Sequence, residues 1–343
     1  MNKNKNIRHD IQFLRALAVL SVIAYHFKLL GFGGGFVGVD IFFVISGYLI
    51  FGQIQTQLSS NSFSLKRFFE ARLRRIFPAL ALMCLSVAIW GWLYDLPRHY
   101  VGSTKNTLAT LFFVSNYAFS GTQGYFDVAA NTKALLHTWS LSVEGQFYLI
   151  LPFIVLAALK WWREKTQPVL ALLFVISFFI ALYQAYRMHW MSAGNLAYEV
   201  PKGGFYFITA RAWEFLAGAI IVSLNINQSP KYTIPILLTS LLGLGLSVFF
   251  INGEQAWPNL WTLLPVLSAA AFIAVGNHYQ SHPVIAAPLI QKVGDMSYSL
   301  YLWHWPVWVF ANQLSESPIN NMEKIALLAL VALLSYISWR WVE

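Results

Sequence analysis

The sequence predicts an all-α protein, a polytopic membrane helical bundle of about ten transmembrane helices. Three observations predict it. Of the 343 residues, 57% are hydrophobic and only 11% are charged, against roughly 25% charged in a soluble domain. Mean hydropathy is +0.56. The apolar residues fall in runs of about 20, the length that crosses a bilayer. Aromatic residues make up 17% of the chain, with 14 Trp. Many sit near the ends of the runs, where a ring can be dry and its polar atom wet.

In chain order the runs are 12–30, 36–54, 77–95, 136–159, 168–187, 209–225, 233–251, 259–277, 294–313 and 323–342. The first follows a basic tail, lacks a small-residue cleavage site and leads into further spans, so it reads as a retained helix and not a signal peptide. The 105–119 stretch is apolar but short, which suggests a re-entrant or interfacial segment. With the N-terminus placed inside, 14 Lys and Arg fall in inner segments and 8 in outer ones. This bias predicts both termini in the cytoplasm. The longest connections, 96–135 and 188–208, then face out. No repeat or soluble segment is visible, so residues 1–343 read as a single membrane domain. The net charge of +9 sits in short inter-span loops; no basic patch on a soluble fold points to nucleic acid. The single cysteine, Cys84, lies inside an apolar run and excludes an internal disulfide or a cysteine metal site. No Walker, HEXXH, CXXC or GXSXG pattern appears, so no metal site or nucleotide hydrolysis is expected.

Ionisable residues inside spans are costly and mark candidate sites. The first span holds Arg15 and His26, which share a face and lie about 16 Å apart along a helix. This fits a fixed cation and a proton-transfer group at different depths; it equally fits a snorkelling Arg and a hydrogen-bonded His. The second span opens with a glycine-rich stretch, residues 33–38, and carries Asp40 and Ser46. The glycines suit loop flexibility, or an anion-binding nest. The fourth span carries Trp139, Ser140, Glu144 and Tyr148, the last two stacked four apart on one face. A Glu beside His26 would orient the imidazole as in general-base catalysis; a structural ion pair is the alternative. Arg211 and Glu214, three apart, look like a structural pair. His304, beside Pro306, reads as a packed histidine more than a catalytic one. The loop after the second span holds Lys66, Arg67, Arg72, Arg74 and Arg75. Arg72 and Arg75 share a helical face and suit bidentate phosphate binding, or simple positive-inside topology.

Together these residues resemble the acyltransferase-3 family of membrane-bound O-acyltransferases. The first span matches its Arg-x10-His pattern through Arg15 and His26. Residues 34–49 match its Gly-Gly-Phe-x-Gly-Val-Asp-x-Phe-Phe-x-x-Ser-Gly-Tyr-Leu block. Arg72 and Arg75 match an Arg-x-x-Arg motif, and Trp139, Ser140, Leu141, Glu144 and Tyr148 a Trp-Ser-Leu-x-x-Glu block. Residues 294–306 match the late signature that includes Trp303-His304-Trp305-Pro306. The five blocks are in order and cover essentially the whole chain.

The resemblance implies an acyl-CoA donor, usually acetyl-CoA, bound from the cytoplasm in a bacterial inner membrane. It implies His26 as the essential catalytic histidine with Arg15 as its companion; Glu144 or Asp40 is expected to orient the imidazole. Arg15, Arg72 and Arg75 would hold the CoA, and Asp40, Ser46, Trp139, Ser140 and Tyr148 the substrate. The acceptor would be a hydroxyl of a carbohydrate or lipid-linked glycan, as on lipopolysaccharide O-antigen, peptidoglycan or exopolysaccharide. Membrane lipids are the remaining expected partners, and no metal is expected. The opening resembles members that carry a C-terminal extracytoplasmic SGNH domain; residues 1–343 show none, which fits either a longer protein cut short here or a member without that domain. A transporter of an acylated or anionic small molecule is the rival reading, and an acyl-shuttling subunit a third.

Overall fold

The computed structural model describes residues 8–29, 31–95, 97–120, 132–162, 166–193, 202–224, 230–253 and 256–343. The chain forms α1 (His9–His26), α2 (Gly38–Ser59), α3 (Leu65–Tyr94), α4 (Pro97–Leu111), α5 (Ser115–Ser120), α6 (Trp139–Trp162), α7 (Thr166–Ala193), α8 (Ile208–Leu224), α9 (Pro230–Phe250), α10 (Leu263–Gly276), α11 (Pro288–Asp295), α12 (Ser297–Leu314) and α13 (Asn321–Trp341), with no strand among the described residues. Each of the ten apolar runs falls on a helix. The chain is a multi-pass, all-α membrane protein.

Among the described residues, eight helices are long and apolar enough to cross a membrane by length and composition: α2, α3, α6, α7, α8, α9, α10 and α13. The two predicted spans below that threshold are α1 and α12. They are also the two that carry His26 and His304. Polar side chains lower their hydropathy, and the fold shields those side chains from lipid. Residues Leu300 to Val309 of α12 are all buried. The outer helices differ: the apolar window of α13 is 17% buried and that of α7 is 22% buried, against 72% in α2. Their outward faces carry Leu172, Phe179, Leu330 and Leu333. A helix that is apolar all round belongs against lipid or inside a large core.

The glycines of the 33–38 stretch have a packing role. A Cβ on Gly35 would clash with the Ser21 carbonyl, and one on Gly38 with the Ala18 carbonyl. They therefore let α2 enter against the backbone of α1, as small residues do between membrane helices. The flexible-loop reading is corrected for these two positions. Gly47 and Gly218 do the same for α2 and α8, which pack most extensively of all helix pairs.

The 105–119 stretch folds as parts of two helices, α4 and α5, which meet near Phe113 (φ 56°). Hydroxyl contacts tie them to α6 and the turn that leads into it: Thr110 to Thr138 at 2.9 Å and Ser115 to Ser142 at 2.8 Å. α11 lies along the first turns of α1, where the Gln12 amide donates to Asp295 at 2.6 Å. Parts of the two long connections, 121–131 and 194–201, lie outside the described residues. So do Lys3, Lys5, Arg163 and Lys165 of the orientation count.

Candidate active site

Two polar layers lie on the same face of α1, one around Arg15 and one around His26. The lower layer is a cavity with ≈ 820 Å³ of space between its atoms, its open mouth included. Arg15 of α1 and Arg72 and Arg75 of α3 line it, with Ser46, Ser140, Glu144 and Tyr148. Arg15 donates to Gln12 at 3.1 Å. Arg72 donates to Gln53 and lies over the rings of Phe68 and Tyr148, at 5.6 and 5.8 Å. None of the three arginines forms an ion pair among the described residues. The single carboxylate on the wall, Glu144, accepts from the hydroxyls of Ser46 and Tyr148. Three cations face one carboxylate on the wall, and Asp295 and Glu343, behind it, offset part of the charge of Arg15. Unmatched charge inside a membrane protein is expensive unless a ligand or water balances it. The geometry fits a polyanion.

The cavity ends at Tyr301 and Ser140, whose hydroxyls meet at 2.7 Å. Both hydroxyls also lie 3.0 Å from the His137 carbonyl, so the two hydroxyl hydrogens are shared among three contacts, one of the pair donating to its neighbour and the other to the carbonyl. This pair is the partition between the arginines and a histidine layer. There the His26 Nδ1 and His304 Nε2 lie 2.9 Å apart. The two rings are nearly coplanar, 11° apart in plane, with centroids 5.1 Å apart. That is the arrangement of an in-plane N–H···N bond. The His304 Nδ1 lies 2.6 Å from the Tyr301 carbonyl. Trp305 packs on His26 at 4.5 Å between centroids, and its indole N–H is held by the Lys133 carbonyl at 2.9 Å.

A third histidine, His137, belongs to this layer. Its ring stands edge-on to His304, centroids 5.6 Å apart, and its Nε2–H donates to the Leu302 carbonyl at 3.1 Å. The reason is local. Residue 306 is proline and has no N–H, so the carbonyl four residues earlier lacks its helical donor. His137 supplies one.

The sequence-predicted residues therefore divide. Arg15, Arg72, Arg75, Ser46, Ser140, Glu144 and Tyr148 come together in the cavity. His26 lies beyond the partition, bonded to His304, while the hydrogen bonds of Glu144 go to Ser46 and Tyr148. Asp40 and Trp139 sit in a third cluster. There the fully buried Arg211 donates to Asp40 at 2.6 Å and approaches Glu214 at 3.1 Å. The Trp257 indole donates to Asp40 at 3.3 Å. Phe43, Trp139 and Phe205 surround the guanidinium, their centroids 5.3, 5.5 and 5.4 Å from it. The Arg211–Glu214 pair was legible three residues apart; its third member, Asp40, was not.

Sequence reasoning also missed His137 and Tyr301. His137 stands just outside the Trp-Ser-Leu block. Its one sequence signal is remote: Pro306 marks Leu302 as a carbonyl in need of a donor. Tyr301 and the neighbouring cavity residue Tyr298 lie in the late signature without a role attached to either.

The acyltransferase domain family model matches residues 8–340. The chain is 32% identical to the peptidoglycan O-acetyltransferase OatA of Listeria monocytogenes, over 97% of its own length and 55% of that protein's. It is also 32% identical to the O-acetyltransferase OatA of Staphylococcus aureus, over 96% of its length and 55% of the relative's. To BcsY of Komagataeibacter xylinus, whose name carries a provisional assignment as a membrane-bound transacylase, it is 33% identical over 99% of its length and 83% of that protein's. The chain thus spans about half the length of the OatA relatives. No solved structure matches it. On the extent of the family match and of the coverage of BcsY, the chain belongs to the acyltransferase family.

Proposed function

We propose that this chain transfers an acetyl group from acetyl-CoA, bound from the cytoplasmic side of a bacterial inner membrane, to a hydroxyl of a cell-surface polysaccharide such as O-antigen, peptidoglycan or exopolysaccharide. The observation that carries the reading is the cavity whose three guanidiniums form no ion pair among the described residues, ending one side-chain layer from a buried histidine pair. Arg72 and Arg75 receive the phosphates of the nucleotide end, because a guanidinium fork matches a phosphate bidentately. Arg15 lines the same cavity as these arginines and the Ser140–Tyr301 partition. The relatives named for O-acetyltransfer support the acetyl group and the carbohydrate acceptor. Membrane lipids surround the outer helices, and a carbohydrate or lipid-linked glycan approaches from the face opposite the arginines. Both termini lie in the cytoplasm. The extra length of the OatA relatives suits an SGNH domain as a further partner.

In the reaction, His26 removes the proton of the acceptor hydroxyl as general base. The oxygen attacks the thioester carbonyl, the C–S bond breaks, and the CoA thiolate leaves with that proton. Transfer requires the partition to open, so that the thioester passes between Ser140 and Tyr301.

The test uses purified protein in lipid vesicles with acetyl-labelled acetyl-CoA and a peptidoglycan-derived oligosaccharide. CoA release coupled to label on the sugar, lost in His26→Ala, is expected. Full transfer by His26→Ala, in protein that folds as wild type, rejects the assignment.

A further inference from the structure

We propose that His304 is a positioning residue that fixes the tautomer of His26, leaving the Nε2 lone pair of His26 as the only basic nitrogen of the pair. The inference rests on the preceding reading of His26 as the base. It follows from acceptors whose roles admit no choice.

A backbone carbonyl can only accept. The His304 Nδ1, 2.6 Å from the Tyr301 carbonyl, therefore carries a hydrogen. A neutral imidazole has one N–H, so the His304 Nε2 carries a lone pair. That nitrogen lies 2.9 Å from the His26 Nδ1, in rings nearly coplanar. One proton is needed between the two nitrogens, and His304 does not hold it. The His26 Nδ1 therefore donates, and in the neutral ring its Nε2 carries the lone pair. When His26 takes up a second proton, the same Nδ1–H···Nε2 bond becomes charge-assisted and stronger. The pair is thus built to stabilise the imidazolium that general-base catalysis forms. A carboxylate commonly does this for a catalytic histidine. Here a neutral ring does it, and no second charge is buried.

His137 holds His304 in place. Its edge-on ring fixes one side of His304, and its own orientation is set by the carbonyl that Pro306 leaves free. The positions of all three rings thus trace to α12 backbone carbonyls, from Tyr301 and Leu302. A purely space-filling histidine at 304 would be as well served by an apolar ring, which carries no polar atoms to satisfy in a dry interior.

The experiment records nitrogen spectra of histidine-labelled full chain in lipid nanodiscs, with the His26 signals assigned by their loss in His26→Asn. Wild type is expected to show His26 protonated on Nδ1 and unprotonated on Nε2. His304→Phe, which keeps a ring and removes the acceptor, is expected to shift His26 toward the opposite tautomer. It should lower acetyl transfer by about 10²-fold, the lower range of a general base's contribution. His304→Gln offers a carbonyl to the His26 Nδ1–H and an amide to Tyr301, so it should recover about tenfold of that loss.

Wild-type His26 protonated on Nε2 overturns the proposal, whatever the variants do. So does a folded His304→Phe protein with full transfer and unchanged His26 signals. If His26→Ala itself transfers acetyl groups, the base assignment fails separately, and the wild-type spectrum still decides the tautomer.

Discussion

The Leu302 carbonyl of α12 accepts its hydrogen bond from the His137 imidazole, 3.1 Å away, because Pro306 has no N–H to give it. The bond joins the entry of α6 to the middle of α12. It also brings two segments of the candidate site together. In a double-mutant cycle, His137→Leu should cost about 1–3 kcal/mol, since it leaves a buried carbonyl without a donor. In a Pro306→Ala background, residue 306 supplies that donor itself. The cost of His137→Leu should then fall by about 1 kcal/mol, the scale of coupling between contacting groups. Unfolding in detergent measures it. Additive effects would show that the bond does not set the local structure.

The arginine cavity makes a kinetic prediction. Arg72→Gln and Arg75→Gln should raise KM for acetyl-CoA by about tenfold each, equal to about 1.4 kcal/mol, and leave kcat within a few-fold. An interaction present in both ground and transition states has this signature. Arg72→Lys should not rescue, because the guanidinium spans the Gln53 amide and two aromatic rings that a point charge does not match. Initial rates across acetyl-CoA concentrations decide. A fall in kcat at unchanged KM would place these residues at the reacting centre instead.

The spans were legible in the sequence because hydropathy averages over twenty residues and tolerates a stray charge. The arginines were legible as a pair because i, i+3 spacing is local. The histidine layer was not. His137 and His304 lie 167 positions apart in the sequence, and their ring contacts depend on how α6 and α12 cross. Beside a proline, His304 looked like packing. The bond to His26 exists only once α1 and α12 meet, and periodicity along one helix carries no information about that meeting. Asp40 was equally opaque: its depth matched that of His26, but depth does not give azimuth, and the fold turns it to Arg211.

The Arg211 cluster predicts a large stability effect with a specific rescue. Arg211 is buried between Asp40 and Glu214, with side-chain exposures of 1%, 1% and 0%. Arg211→Met leaves two neighbouring carboxyls without their cation and should cost about 3–5 kcal/mol, as breaking a buried ion pair does. Asp40→Asn with Glu214→Gln in the Arg211→Met background removes the uncompensated groups and should restore most of that loss. Thermal unfolding of the purified protein reads both steps. A triple variant no more stable than Arg211→Met would mean that the guanidinium's contacts with Phe43, Trp139 and Phe205 hold this region, and not its charges.

The crossing of α2 and α8 offers the sharpest steric test. A methyl group at Gly47 would run into the backbone of Phe215, and one at Gly218 into the backbone of Val44. Backbone cannot step aside as a flexible side chain can, so Gly47→Ala should force the helices apart. The expected cost is about 1–3 kcal/mol, the range for overpacking a well-filled interior. Gly102, in α4, is the control: a Cβ there meets nothing within 4 Å. Gly102→Ala should stabilise slightly, by up to about 1 kcal/mol, because alanine loses less backbone entropy in a helix. The same chemical change at two helical glycines should thus move the unfolding midpoint in opposite directions. Equal shifts would mean that α2 and α8 do not meet backbone to backbone, and that the helix carrying Asp40 and Ser46 is held by something other than this contact.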